Sequence, residues 1–395
     1  MKVVYFSHSD GIYGAPKSLL DMILVLKDGI SDFYPIVVTS KVNQLNAICN
    51  ELGIENYSVY YADCLYEYET NRSIGQIIHD ARVCLKMKYR HDYVNLKAIE
   101  HIEKLIDFRT IDIVHSNVST IDVGAIIAKK YGIKHIWHIR EYGQSEKRKF
   151  HPYIKDYYKY IDENSDGIVL ISEFVKRNWI KQGLSTSKAI VLYDAVGMPK
   201  YEKTEKNNKV KILFAGSANP AKGVDDLLEA ISILVSKYKE TNFVLDLFGN
   251  YNNKFGEKVH RWISDNGLEE FIHVKGYDSK LTDKMYKYDI GVVCSRNEAL
   301  GRITIEYMEA GLCLVASNTG ANPELVDGCK EVVLYKQGDT RDLAAKLQSL
   351  IKLDGNQRLT MGDTIREYAL NKFGKENFVR ELLSLYGMEN LKSED

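Results

Sequence analysis

The segment Val210-Lys211-Ile212-Leu213-Phe214-Ala215-Gly216-Ser217-Ala218-Asn219-Pro220-Ala221-Lys222-Gly223 decides the architecture. It reads as a short apolar strand and a glycine turn, and the helical run 224–238 follows it, the strand-to-helix unit of a parallel α/β sheet. Just before it, residues 198–209 are charged, polar and without periodicity. A strand that restarts behind such a linker opens a second domain. Working outward, strands are predicted at 2–8, 35–40, 111–116, 134–140, 167–172 and 189–196 on one side. On the other side they are predicted at 210–216, 243–249, 271–277, 289–295, 312–317 and 331–335. Most are apolar on both faces, as strands are when helices cover the sheet on either side. The expected organisation is an N-terminal Rossmann-like domain over 1–198, a C-terminal one over 199–374, and a closing helix with a polar tail over 375–395. Phe378, Leu382, Leu383 and Leu385 stand at helical spacing in that last stretch.

Composition narrows the function. The 395 residues carry 53 Lys+Arg against 54 Asp+Glu, a net charge of −1, which argues against nucleic acid as a partner. Hydrophobic residues at 45% and charged ones at 27% are ordinary globular usage, so disorder is expected only at the tail. Six cysteines (Cys49, Cys64, Cys84, Cys294, Cys313, Cys329) form no C-x-x-C pair and read as core residues in a reducing compartment. The start turns polar at Ser7 before a signal-peptide core is reached, and no apolar run is long enough to span a bilayer. The expected location is cytoplasmic, at the inner face of the cell membrane if the acceptor is lipid-linked.

Ligands of open α/β sheets bind beyond the carboxyl ends of the strands, so the turns there are the first candidates. The first is Ser7-His8-Ser9-Asp10-Gly11-Ile12-Tyr13-Gly14-Ala15-Pro16-Lys17-Ser18, whose glycines let backbone approach a ligand. It is not G-x-G-x-x-G, so the nicotinamide fingerprint is absent. In the second domain, Ser217, Asn219 and Lys222 lie on a turn that opens a helix, where an ammonium adds to backbone amides in meeting a phosphate. The turn is not a Walker loop, because Lys222 is neither preceded by glycine nor followed by Ser or Thr.

The most specific stretch is Ser295-Arg296-Asn297-Glu298-Ala299-Leu300-Gly301-Arg302-Ile303-Thr304-Ile305-Glu306-Tyr307-Met308. A strand end leads through a glycine bend into a helix. Amides of Leu300, Gly301 and Arg302 at the helix start make an anion site, with the Arg302 guanidinium beside it. Glu298 in the loop and Glu306 about two turns into the helix flank that site. Glu306 also has a plainer reading, an i, i+4 ion pair with Arg302. His135 and His138 stand i, i+3 on a strand and face opposite ways, which argues against a paired metal site there. No G-x-S-x-G elbow supports serine hydrolysis. Asn71-Arg-Ser73 and Asn117-Val-Ser119 fit the glycosylation sequon but would stay bare in a cytoplasmic protein. Lys147-Arg148-Lys149-Phe150 with Tyr153, Tyr157, Tyr158 and Tyr160, together with Lys86, Lys88, Tyr89 and Arg90, mixes cations and aromatics in a way compatible with peripheral membrane contact or with a solvated helix face.

Together these pieces resemble the family 4 nucleotide-sugar glycosyltransferases, which have the two-domain GT-B fold. Glu298 and Glu306 match the family's glutamate pair, within Glu298-Ala-Leu-Gly-Arg-Ile-Thr-Ile-Glu306-Tyr-Met. Ala316-Ser-Asn-Thr-Gly-Ala-Asn-Pro-Glu324, Trp137-His138-Ile-Arg-Glu141 and Ile171-Ser-Glu-Phe-Val175 resemble further family segments. The resemblance spans nearly the whole chain. It implies two parallel sheets facing across a cleft, with the closing helix returning to the N-terminal domain and a hinge near Pro199. By the same resemblance Lys222 and Arg302 neutralise the donor diphosphate, Glu306 binds ribose, and Glu298 the transferred sugar. His138 lies beside sugar or acceptor, Tyr277 near the base, and Gly14, Ser217, Asn219, Leu300, Gly301 and Thr304 line the donor site. Transfer retains anomeric configuration and needs no metal or other cofactor. The donor is UDP- or GDP-linked and the acceptor a saccharide or lipid-linked saccharide, in bacterial surface polysaccharide synthesis. Many relatives carry arginine where this chain has Ser217. Two other readings share the fold: a sugar-nucleotide epimerase, which needs no acceptor, and a silent nucleotide-sugar binder, which shows no turnover.

Overall fold

A computed structural model of the protein describes residues 1–8, 14–63, 65–67, 73–143, 148–151, 153–196, 199–202 and 209–388. Gly11, Cys64, Asn71, Lys147, Met198, residues 203–208 of the linker and the polar tail lie outside the described residues. The chain forms two compact units, one of Met1–Ala195 with Lys375–Asp395 and one of Val196–Gly374.

In the first unit the strands are β1 (Lys2–Ser7), β2 (Tyr34–Thr39), β3 (Glu55–Ser58), β4 (Leu65–Glu67), β5 (Ile113–Ser116), β6 (Lys134–Ile139), β7 (Arg148–Phe150), β8 (Gly167–Leu170) and β9 (Ala189–Val191). Among the described residues, seven of them make a parallel sheet in the order β3-β2-β1-β5-β6-β8-β9, while β4 and β7 pair antiparallel by themselves. The consecutive residues Val3, Val4, Tyr5 and Phe6 are all fully buried, so both faces of β1 are covered, as its unbroken apolar run requires. The closing helix Lys375–Tyr386 belongs to this unit. Its Phe378, Leu382, Leu383 and Tyr386 join Val3, Tyr5, Leu26 and Ile136 in one core, so the chain returns to the N-terminal sheet after Gly374.

In the second unit the strands β10 (Val210–Ala215), β11 (Phe243–Phe248), β12 (Ile272–Gly276), β13 (Ile290–Val293), β14 (Cys313–Ser317) and β15 (Val333–Tyr335) form a parallel sheet in the order β12-β11-β10-β13-β14-β15. Helices Val224–Ser236 and Thr340–Ile351 share a core with β10, β11 and β13 through Leu227, Ile231, Leu343 and Leu347.

Every strand expected from the sequence is present, most of them trimmed at one or both ends and β2 displaced by one residue toward the N-terminus. β3, β4 and β7 were not expected. Glu-Asn-Tyr-Ser carries no apolar period because β3 is an edge, and three-residue strands give too short a pattern to read. The aromatic segment from β7 onward corrects another expectation: Phe150, Tyr157 and Tyr158 are buried, and Phe150, Tyr157 and Trp179 pack against one another in one aromatic cluster. Those rings are core and present no membrane surface. Exposed apolar side chains instead line helix Ile74–Tyr89 at Ile74, Ile77, Ile78, Leu85 and Tyr89. No helix among the described residues is long and apolar enough to cross a membrane. Cys49, Cys294, Cys313 and Cys329 are buried thiols that form no disulfide, and burial pushes Cys294 up to about 12, which leaves it unreactive.

Candidate active site

Strand order reverses about the first strand of each sheet, and the two loops that leave the carboxyl ends on either side of that reversal part to form a crevice. In the second unit this point lies between β10 and β13. The loop after β10 leads through a short turn, Pro220–Lys222, into helix Val224–Ser236. Asn219 Oδ1 caps that turn by accepting from the Ala221 amide at 2.9 Å. Gly223 then takes a left-handed backbone with φ of 66° and lies flat against the end of β13, where an added Cβ would stand 2.1 Å from the Cys294 carbonyl oxygen. The Arg296 amide donates to the Ala221 carbonyl at 2.9 Å and locks the two loops together.

This packing brings Lys222 to Glu298, 76 residues later. Lys222 Nζ lies 2.5 Å from Glu298 Oε1, and the Ser295 hydroxyl donates to the same oxygen at 2.6 Å. Glu298 is held by its backbone as well: its carbonyl accepts from the Ala321 amide at 3.0 Å. Beyond it Leu300 is buried, and Gly301, with φ of 83°, forms the N-cap of helix Arg302–Glu309 without any side-chain cap. The first amides of that helix are therefore not satisfied by a capping side chain and define a positive end. Arg302 Nη2 lies 4.0 Å from Glu306 Oε1, at the outer limit of an ion pair, and both side chains are mostly buried.

Among the residues expected at the donor, Lys222, Glu298, Gly301, Arg302 and Glu306 occupy the two loops of the switch point and the helix leaving it. Ser217 and Asn219 are exposed on the first of these loops. Thr304 is placed differently from its expected role: its side chain is fully buried and its hydroxyl donates to Asn322 Oδ1 at 2.8 Å, so it braces the helix start. Tyr277 is 61% exposed after the edge strand β12, two strands from β10. Sequence reasoning missed the support for the loop. Asn322 Nδ2 donates to Ser317 Oγ at 3.1 Å, and the Ser317 hydroxyl donates to the Ser295 carbonyl at 2.7 Å. Ser317 and Asn322 lie within 316–324, a stretch that the family resemblance covers without giving it a role.

In the first unit the switch point lies between β1 and β5. Gly14 precedes helix Ala15–Gly29 with φ of 55°, and the Asn117 side-chain amide donates to the Ala15 carbonyl there. His138, on β6, is fully buried. Its Nδ1 lies 3.2 Å from His115 Nε2 and 3.4 Å from Arg140 Nη2, and His115 Nδ1 lies 2.8 Å from the Tyr386 hydroxyl of the closing helix. Burial and then the Arg140 cation hold His138 and His115 well below the usual histidine range, so both rings are neutral. His138 Nε2 is buried with no hydrogen-bond partner. His135 faces elsewhere, toward Ser116 and the Asn164 carbonyl, as the strand period requires. Glu141, which closes the matching segment Trp137–Glu141, is half-buried beside the end of β6 and accepts from the Ser119 amide and hydroxyl.

Two doubly wound sheets with such switch points define a nucleotide-binding α/β class. Comparison with known families makes this specific. Residues 199–368 match the model of Glycosyl transferases group 1, and residues 48–197 match that of Glycosyltransferase Family 4. The chain belongs to the group 1/family 4 glycosyltransferases of GT-B fold. It is 28% identical over 363 residues to an uncharacterised glycosyltransferase of Methanocaldococcus jannaschii, covering 90% of this chain and 96% of that one. It is 25% identical to an uncharacterised 41.2 kDa protein in the cps region of Klebsiella pneumoniae, over 72% of this chain and 81% of that one. Its fold is similar to that of Anabaena HepE solved in complex with UDP, with a TM-score of 0.74 at 17% identity over 98% of this chain and 100% of that one.

Proposed function

We propose that the protein transfers a sugar, with retention of anomeric configuration and without a metal, from a UDP- or GDP-linked donor to a saccharide or lipid-linked saccharide in surface polysaccharide synthesis. The observation that carries this reading is the meeting of Lys222 and Glu298 at the switch point, directly before the uncapped start of helix Arg302–Glu309. A departing nucleoside diphosphate carries two negative charges or more. Lys222, Arg302 and the helix-start amides supply fixed positive charge of the kind a metal supplies in other folds. Glu298 takes the transferred sugar and Glu306 the ribose. His138 offers its unpartnered Nε2 to a hydroxyl of sugar or acceptor. Similarity to a UDP-bound fold and to a protein of a cps region supports the nucleotide and the polysaccharide setting. The apolar outer face of helix Ile74–Tyr89, with Lys86 and Lys88, supports a membrane-borne acceptor.

Calorimetry against UDP, GDP, ADP and CMP tests the donor half. One nucleotide should bind without magnesium, and Glu306→Ala should weaken it by on the order of 10-fold through loss of charge-assisted hydrogen bonds to the ribose. Unchanged affinity in that variant would remove Glu306 from the site. Once donor and acceptor are found, the transfer rate should be the same with and without magnesium. Strict magnesium dependence would overturn the charge argument.

A further inference from the structure

Three local irregularities of the first unit converge on one place. The helix that begins at Ile74 widens into a π-helical turn over Arg90–Asn95, and His91 stands on it. Such turns are rare and frequently mark functional sites. Asp122 occupies the N-cap of helix Val123–Tyr131, yet its carboxylate caps no backbone amide, although amide capping is what favours aspartate there. His151 has φ of 43°, a left-handed backbone that non-glycine residues adopt at a cost.

The three side chains turn toward one another. His91 Nε2 lies 2.6 Å from Asp122 Oδ2, and His151 Nδ1 lies 4.0 Å from the same oxygen. One donor atom of each residue falls within 4.8 Å of the others. Asp122 and His151 are fully buried and His91 is 13% exposed. The carboxylate does not need both rings: His91, the Tyr160 hydroxyl at 2.8 Å and the Asn95 amide at 3.5 Å already serve it. A second imidazole at 4.0 Å is too far to add a hydrogen bond. It is at a distance suited to a shared ion, because ligands 2.0–2.1 Å from a tetrahedral centre stand roughly 3.3 Å apart, between the two observed separations.

We propose that His91 Nε2, Asp122 Oδ2 and His151 Nδ1 form a binding site for a divalent transition-metal ion, with zinc the best match to two imidazoles and one carboxylate. The surroundings suit it. His91 Nδ1 lies 3.0 Å from Asp92 Oδ1, the carboxylate that keeps the proton on Nδ1 and aims Nε2 inward. Metal binding would take His151 Nδ1 from the Tyr153 hydroxyl, 2.9 Å away. The ion would tie the π-turn, the loop after β5 and the segment after β7 into one cluster. It would serve the structure of this unit, separately from the donor residues.

The test uses full-length, tag-free protein stripped of metal and titrated with cobalt(II) and then zinc(II). One equivalent of cobalt should raise the visible bands of a tetrahedral ion, one equivalent of zinc should bleach them, and magnesium should not. His91→Gln, at a partly exposed ring, should abolish the bands and weaken zinc by at least about 100-fold with an unchanged circular dichroism spectrum. His260→Gln, at an exposed histidine of the other unit, should change nothing. If His91→Gln does not fold, Asp92→Asn is read in its place and should weaken zinc roughly 10-fold. Absence of stoichiometric bands in the folded protein would overturn the proposal. So would bands and zinc affinity that persist in the His91 or Asp92 variant.

Discussion

Glu298→Gln is expected to lower the rate of sugar transfer by on the order of 10²- to 10³-fold, the loss typical when one preorganised charge or hydrogen bond is removed from a reacting centre. The substitution keeps the volume of the side chain and an oxygen for Ser295 to donate to. It removes only the negative charge that faces Lys222 at 2.5 Å. Stability should change by no more than about 1 kcal/mol, because that ion pair is partly exposed and screened. The loop is fixed by other bonds: the Glu298 carbonyl accepts from the Ala321 amide, and the Ser317 hydroxyl donates to the Ser295 carbonyl. Nucleotide affinity should be retained or tightened, since Lys222 loses its intramolecular partner and its ammonium is free for the diphosphate. Initial rates and calorimetry on the same preparation separate these effects. Transfer at the wild-type rate would remove Glu298 from the reaction, and loss of nucleotide binding with loss of rate would make it a donor ligand only.

Gly223→Ala should be the most damaging single methyl in the second unit's site. Two costs combine there. A left-handed backbone costs a non-glycine residue ~1 kcal/mol or more, and the new Cβ would meet the Cys294 carbonyl oxygen at 2.1 Å, an overlap that only backbone movement relieves. A total of at least ~3 kcal/mol is expected, a fall in the thermal midpoint of roughly 6–12 °C for a unit of this size. Nucleotide binding should fall with it, because the movement separates Lys222 from Glu298. Gly267→Ala is the matched control: its φ is 63°, close to the 66° of Gly223, but no atom lies within 4 Å of the added Cβ. It should cost only the backbone part, ~1 kcal/mol. Differential scanning calorimetry on both variants decides it. Equal losses would mean that backbone strain, not the contact with β13, governs this turn.

The sheets were legible because buried parallel strands are written as short runs of Val, Ile, Leu and Phe, and each run is local. The glutamate pair was legible because one loop and one helix carry both members, Glu298 and Glu306, eight positions apart. Thr304 shows the limit of such local reading. It sits between two candidate ligands in sequence, but the helix turns its hydroxyl inward to Asn322. The aromatics at 150–160 show the same limit: a cation-and-tyrosine pattern describes a surface only if the rings are outside, and Trp179 and its neighbours draw them inside.

By itself the sequence determined the alternation of strands and helices, the restart at Val210, the loops that follow β10 and β13, and the family these patterns match. Those are properties of contiguous residues, set by hydrophobic period and turn chemistry. Only the tertiary structure decided which distant groups meet. Lys222 reaches Glu298 because β13 lies beside β10 and Gly223 packs on Cys294. His91, Asp122 and His151 come together because a π-turn, a helix start and a strand end share one corner of the first unit. Such meetings depend on strand order and on backbone approaches closer than one methyl group, and neither has a local signature along the chain.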